Sequence, residues 1–169
     1  MADNGAMSVQ LELSTVVDAP IERVFDLSRR VDFHEASMRA SGEQAIRIER
    51  SDASRGVNGA IDPLGLGDCV TWRARHFGVW WRLRSHITAC QRPFRFVDEQ
   101  LTGPFAHWYH EHLFAWDERL QATVMRDVIR FAAPARAVGW AAERLVLRRY
   151  MRALIVRRNA YLARQLNPD

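Results

Sequence analysis

The stretch DCVTWRARHFGVWWRLRSHITACQRPFRFVDEQLTGPFAHWYHEHLFAWDERLQATVMRDVIRF, Asp68 to Phe131, alternates almost without interruption. In its first segment Val70, Trp72, Ala74 and His76 take the even positions while Thr71, Arg73 and Arg75 take the odd ones. That period of two belongs to strands with one wet face. The segments divide at Phe77-Gly78, Gln91 to Pro93, Gly103-Pro104 and Asp117 to Leu120, giving five strands over about 68–77, 79–90, 94–102, 105–116 and 121–131. Connections this short force antiparallel neighbours.

The arginines fix the faces. Arg73, Arg75, Arg82, Arg84, Arg95, Arg126 and Arg130 share the parity that points to water. Their alternates point inward: Trp72, Ala74 and His76; Trp81, Leu83, Ser85 and Ile87; Phe94, Phe96, Asp98 and Gln100; Trp108, His110, His112 and Phe114; Thr123, Met125, Asp127, Ile129 and Phe131. Large rings beside two acids and three histidines make this face too polar for a simple core. Apolar walls with a few convergent polar groups are the usual make-up of a small-molecule pocket.

Outside this stretch, Val9 to Val17 reads as a first strand ended by Asp18-Ala19-Pro20, with Asp18 as N-cap and Pro20 in the first turn of a helix carrying Ile21, Val24 and Phe25. A second short helix is expected near Asp32 to Arg39, and a strand over Glu43 to Arg50. Ser51 to Gly67, rich in glycine, reads as a long loop with a short strand near Val57 to Ile61. After Pro134, helical spacing through Val138, Ala141, Leu145, Met151, Leu154, Ile155 and Leu162 predicts a long amphipathic helix to Leu166. The order is strand, two helices, six strands, long helix. A sheet with one arginine-coated face must cover the other, and only the C-terminal helix is long enough.

The 169 residues fit one domain with room for a core and a cavity, Met1 to Ser8 being expected as a disordered tail. No apolar run reaches the ~18 residues of a membrane span, and the N-terminus lacks signal-peptide regions, so a cytoplasmic location is the expectation. The net charge is +4, and all 24 basic residues are arginine. The doublets Arg29-Arg30, Arg148-Arg149 and Arg157-Arg158 could attract phosphates or anionic lipid heads. With acids interspersed and no nucleic-acid motif, a solvated basic face is the expectation and nucleic acid is not an expected partner. In the Phe77-Gly78 hairpin Cys69 falls opposite His86 and Cys90 out of register, so no disulfide is expected.

The element order, with APIERVF at Ala19 to Phe25, GDCVTWR from Gly67, RFVDEQ from Arg95, GPF from Gly103 and WYHEHLF from Trp108, resembles the START/Bet v 1-like (SRPBCC) superfamily, within it the polyketide cyclase/dehydrase and lipid-transport group. The resemblance spans about residues 9–166. It implies an α+β helix-grip fold: a curved seven-stranded antiparallel sheet wrapped around a long C-terminal helix, with two short helices after the first strand. It also implies a cavity taking lipids, polyketides or other apolar molecules. No shared catalytic motif maps onto this sequence.

Ligand contacts are expected from Trp72, His76, Trp81, Leu83, Phe96, Gln100, Trp108, His112, Phe114, Met125, Ile129, Met151 and Ile155. If the Asp117–Leu120 loop pairs Trp116 with Gln121, His110 falls opposite Asp127, with Asp98 within one pairing step on the other side. Flanking carboxylates would raise the histidine's pKa while burial lowers it. Such a centre could serve an aldol cyclisation and dehydration, with His110 as base and Asp98 or Asp127 orienting it; equally it could be a buried polar network or an anchor for a ligand oxygen. His110-x-His112 has a spacing able to ligate a metal, with Asp98, Asp127 or His76 as further ligands. No helical H-E-x-x-H or cysteine pair supports it, so neither metal nor cofactor is expected.

The principal expectation is a binder of an apolar small molecule such as a lipid, polyketide or isoprenoid. The alternatives are a cyclase/dehydrase-type enzyme using the same cluster, and an interaction module using Arg148, Arg149, Arg152 and the outward Trp80, itself a candidate homodimer contact or cavity rim.

Overall fold

The computed structural model describes residues 8–52, 63–132 and 140–167, backbone only over 140–144. The expected tail (save Ser8) and the short strand near Val57 to Ile61 lie outside the described residues. The elements are β1 (Val9–Val17), α1 (Ile21–Ser28), α2 (Val31–Ser37), β2 (Gln44–Glu49), β3 (Cys69–His76), β4 (Val79–Gln91), β5 (Arg95–Thr102), β6 (His107–Asp117), β7 (Ala122–Ala132) and α3 (Trp140–Leu166), with a 3-10 turn at Arg39–Ser41. The strands form one antiparallel sheet in the order β1-β7-β6-β5-β4-β3-β2. This is the α+β architecture the alternation and the long closing helix implied.

Phe77 and Gly78, both at positive φ, close the β3–β4 hairpin, pairing His76 with Val79 and Cys69 with His86 as the spacing required. Both cysteines are free thiols. At the β6–β7 turn the register differs from expectation by two residues: Asp117 pairs with Ala122, so Asp127 faces His112 and His110 faces Ile129. The cause is local. Asp117 Oδ1 accepts the amides of Arg119 and Leu120 at 2.9 and 3.1 Å, and Gln121 adopts φ 50°, making the loop Glu118–Gln121. Because the slip is even, no side chain changes face.

The helix start also differs. Pro20 occupies the N-cap position of α1 without a side-chain cap, its carbonyl accepting from Arg23 and Val24. Asp18 instead donates its backbone N–H to Asn167 Oδ1 at 2.9 Å, tying the end of α3 to β1.

The α1 face of Val24, Phe25 and Ser28 closes one end of the sheet's concave side. Phe25 meets Phe96 and Phe114 edge-on at 5.7 and 5.3 Å, forming a core with Val17, Met125 and Leu162. A second cluster joins Leu11, Trp108, Ile129 and Phe131 to Met151 and Ile155 of α3. Between the clusters the sheet and α3 separate.

Candidate functional site

That separation is a cavity of about 310 Å³ whose lining includes Trp72, Leu83, Ile87 and Phe96 from the sheet and Met151, Leu154 and Ile155 from α3. Phe105, Trp108, Phe77 and Tyr150 also contribute. Alternation supplies these side chains from the strands, and the i, i+3, i+4 spacing of Met151, Leu154 and Ile155 supplies them from the helix.

The polar floor comes from three neighbouring strands. Asp98 pairs directly with His110 across β5–β6, and His112 pairs with Asp127 across β6–β7. His110 Nε2 lies 2.9 Å from Asp127 Oδ1. His112 Nδ1 is 2.8 Å from the same oxygen, in ion-pairing range although not aligned for a hydrogen bond. The opposite nitrogens, His110 Nδ1 and His112 Nε2, face Asp98 Oδ2 at 3.6 and 3.5 Å. Asn159 Nδ2 donates to Asp127 Oδ2 at 2.7 Å, and Trp108 Nε1 reaches Asp98 Oδ1 at 3.4 Å. The His110 and His112 rings lie 3.8 Å apart, and Phe96 stacks on His112 at 4.0 Å.

Burial would raise the Asp127 carboxyl, but hydrogen bonding and charge from both histidines outweigh it and hold the group well below the usual carboxylate range. Asp98 is lowered in the same way against its own burial, chiefly by His112. For His110, burial and the neighbouring His112 overcome the two carboxylates, so its pKa falls where flanking acids alone would raise it. At neutral pH the floor holds two carboxylates and a neutral His110.

A second polar group lines the same cavity. His34 Nε2 is 2.9 Å from Glu43 Oε1, with the His34 ring 4.4 Å from Trp72. At the rim His76 Nδ1 lies 2.6 Å from the Tyr150 hydroxyl. Burial lowers His76 more than Glu43 raises it.

Solved structures share this frame. A START superfamily protein from Mycobacterium smegmatis superposes with TM-score 0.69 at 9% identity, covering 94% of this chain and 99% of its own. Ginseng major latex-like protein 151 from Panax ginseng gives 0.64 at 11% identity, covering 95% and 99%. The chain has the START/Bet v 1-type helix-grip fold. The di-domain ARO/CYC BexL from the BE-7585A biosynthetic pathway gives TM-score 0.72 at 14% identity, covering 98% of this chain and 52% of BexL. No family model matches the sequence, and no curated protein does.

Within the helix-grip frame, Trp72, His76, Leu83, Phe96, Asp98, Trp108, His110, His112, Met151 and Ile155 line the cavity. Trp81 lines its mouth, 41% exposed, with its indole donating to His76 O. Four expected contacts differ. Phe114, Met125 and Ile129 share the inward face but are packed beneath it in the two core clusters. Gln100 is spent on the β5–β6 loop, donating from Nε2 to Phe105 O at 2.7 Å and accepting from Phe105 N at 3.3 Å. Phe94 belongs to the β4–β5 turn and is exposed. Asp127 lies under the floor, fully buried.

Sequence reasoning missed Arg29, His34, Glu43 and Arg158 in the lining. Two supposedly solvated doublets each bury one arginine. Arg29 pairs with Asp26 at 2.8 Å and donates to Leu64 O, while Arg158 donates to Ser28 O at 3.0 Å. The signal for Arg158 and Asn159 was present: they follow Ile155 by three and four residues, on the stripe of Met151, Ile155 and Leu162. Trp80 is exposed as expected, with Arg73 over its ring at 4.8 Å. No helix among the described residues is long and apolar enough to cross a membrane.

Proposed function

We propose that this chain takes up one apolar small molecule of the lipid, polyketide or isoprenoid kind between the sheet and α3, with the molecule's oxygen-bearing end at Asp98, His110 and His112. The observation that carries this reading is the union of apolar walls with a polar floor at Asp98, His110 and His112 in a cavity of about 310 Å³. Burying about 250 Å² of apolar ligand surface at ~25 cal/mol per Å² contributes about 6 kcal/mol, before the cost of association. Orientation then comes from the floor, since a ligand inserted the other way leaves those polar groups desolvated without partners.

The test is a titration with the uncharged probe N-phenylnaphthylamine, followed by fluorescence. Saturable binding is expected in the native chain and its loss in Ala74→Phe, which fills the cavity from a wall position. Binding unchanged in a folded Ala74→Phe variant contradicts the proposal.

A second reading, a cyclase/dehydrase-type enzyme, is favoured by the neutral His110 held between Asp98 and Asp127. An unprotonated imidazole facing an apolar cavity is a competent base. His110→Ala separates the two: an enzyme loses turnover of a cognate substrate with affinity nearly kept, whereas a binder has no turnover to lose.

A further inference from the structure

We propose that Asp98 Oδ2, His110 Nδ1 and His112 Nε2 form a site for one divalent transition-metal ion at the floor of the cavity, with Asp127 as its supporting carboxylate. Ion binding does not require the apolar ligand, although the two meet at this floor.

Asp127 Oδ1 hydrogen-bonds His110 Nε2 at 2.9 Å and lies 2.8 Å from His112 Nδ1, so one oxygen engages one nitrogen of each ring. The other nitrogen of each ring, His110 Nδ1 and His112 Nε2, faces a single carboxylate oxygen, Asp98 Oδ2. Two imidazoles and a carboxylate thus converge on one point of the cavity floor, the ligand types that a divalent transition-metal ion takes.

At 3.5 and 3.6 Å the imidazole–carboxylate separations exceed the ~2.7–3.2 Å of a good N–H···O bond. They are close to the ~3.4 Å edge of a tetrahedron whose ligands stand about 2.0–2.2 Å from its centre. The three ligand atoms all lie within 4.8 Å of one another, so a modest ring rotation completes the set.

Metal-bound histidines usually donate their other N–H to a carboxylate or carbonyl, which fixes tautomer and orientation. Asp127 does this for His110 and lies 2.8 Å from His112 Nδ1, and Asn159 holds Asp127 in turn. Phe96 stacked on His112 and Trp108 against Asp98 Oδ1 restrain the ligands from the cavity side. Two imidazoles and one carboxylate suit zinc, ferrous iron or cobalt rather than calcium or magnesium. Because all three ligands line the cavity, the remaining coordination positions open toward the apolar ligand, whose carbonyl or hydroxyl oxygen can fill one. His110 Nδ1 cannot ligate a metal and act as a base at once, so occupancy favours binding or Lewis-acid roles over the base reading.

The test is Co²⁺ titration of the full chain after chelator treatment, followed by visible absorption and proton NMR. One equivalent is expected to bind, with d–d bands of a low-coordinate site and two hyperfine-shifted, solvent-exchangeable ring N–H signals from His110 and His112. Asp98→Ala is expected to weaken binding by roughly 100-fold or more, and Asp127→Asn by about 10–100-fold as a supporting residue. Glu12→Gln, at an exposed carboxylate of β1 outside the cavity, is expected to leave it unchanged. Far-UV circular dichroism establishes that each variant folds, with Asp98→Asn in reserve if Asp98→Ala does not. Binding weaker than about 1 mM, or binding that survives removal of the Asp98 carboxylate in a folded variant, overturns the proposal.

Discussion

Replacing Asp127 by alanine strips the cavity floor of its shared acceptor. His110 Nε2, His112 Nδ1 and Asn159 Nδ2 all converge on this carboxylate at 2.7 to 2.9 Å, and every member of the group is at most 5% exposed. Each donor left unsatisfied in a buried site costs ~1–3 kcal/mol, and removing one partner of a buried charged group costs about 3–5 kcal/mol in total. Water entering from the cavity can reach His110 and His112 more readily than Asn159, which places the expected loss near the middle, about 4 kcal/mol. For a chain of this size each kcal/mol moves Tm by ~2–4 °C, so a fall of about 8–16 °C is expected. Asp127→Asn should cost less, since one carbonyl oxygen still accepts from His110 while its amide opposes Asn159 Nδ2. Asn159→Asp on that background returns an acceptor to the amide and should recover part of the loss. Thermal and urea unfolding with chelator present measure all three. A loss below about 1 kcal/mol in Asp127→Ala, or no recovery in the double variant, would show that this carboxylate does not hold the floor together.

Other perturbations test the frame around the floor. Leu162→Ala, at a fully buried α3 position between α1 and the sheet, is expected to lose about 2–5 kcal/mol in urea unfolding. Gly103→Ala would press a new Cβ against Gln100 Oε1 and, at 2.7 Å, Leu83 Cδ1, displacing the brace that holds Phe105. About 1–3 kcal/mol of destabilisation and weaker probe binding are expected. Asp26 is held below its ordinary pKa, chiefly by Arg92 and, against its partial burial, by Arg29. A carboxyl lowered on folding stabilises above its unfolded pKa and loses that contribution as pH falls through the folded one. The melting temperature of Asp26→Asn should therefore lie below that of the native chain at pH 7, and the gap should close below about pH 4.

Much of this site could be read from the sequence because arginine parity survives any even slip of register. The two-residue error at β6–β7 therefore left His110, His112 and Asp127 on the correct face while changing which histidine pairs with Asp127. What caused the slip, the Asp117 side chain capping its own turn, leaves only a weak trace in sequence. Parity also says nothing about depth. Phe114 and Met125 obey the same alternation as Phe96, yet Phe25 from α1 covers that end of the sheet and converts wall positions into core. Gln100 shares the inward parity, but its partner, the Phe105 backbone, exists only once the β5–β6 loop is formed. Arg29 and Arg158 were assigned to solvent by residue type, although helical spacing already placed Arg158 on the buried stripe. Glu43 and His34 reach the cavity from a connection and a short helix, where no periodicity points inward.

One apolar molecule is expected to occupy the space between the sheet and α3. Native mass spectrometry of the chain purified from its own host tests it most directly. A single co-purifying apolar molecule with oxygen functionality is expected, released on denaturation and missing from folded Ala74→Phe. A native chain that carries nothing and binds no apolar probe, or a ligand retained unchanged by folded Ala74→Phe, would contradict it.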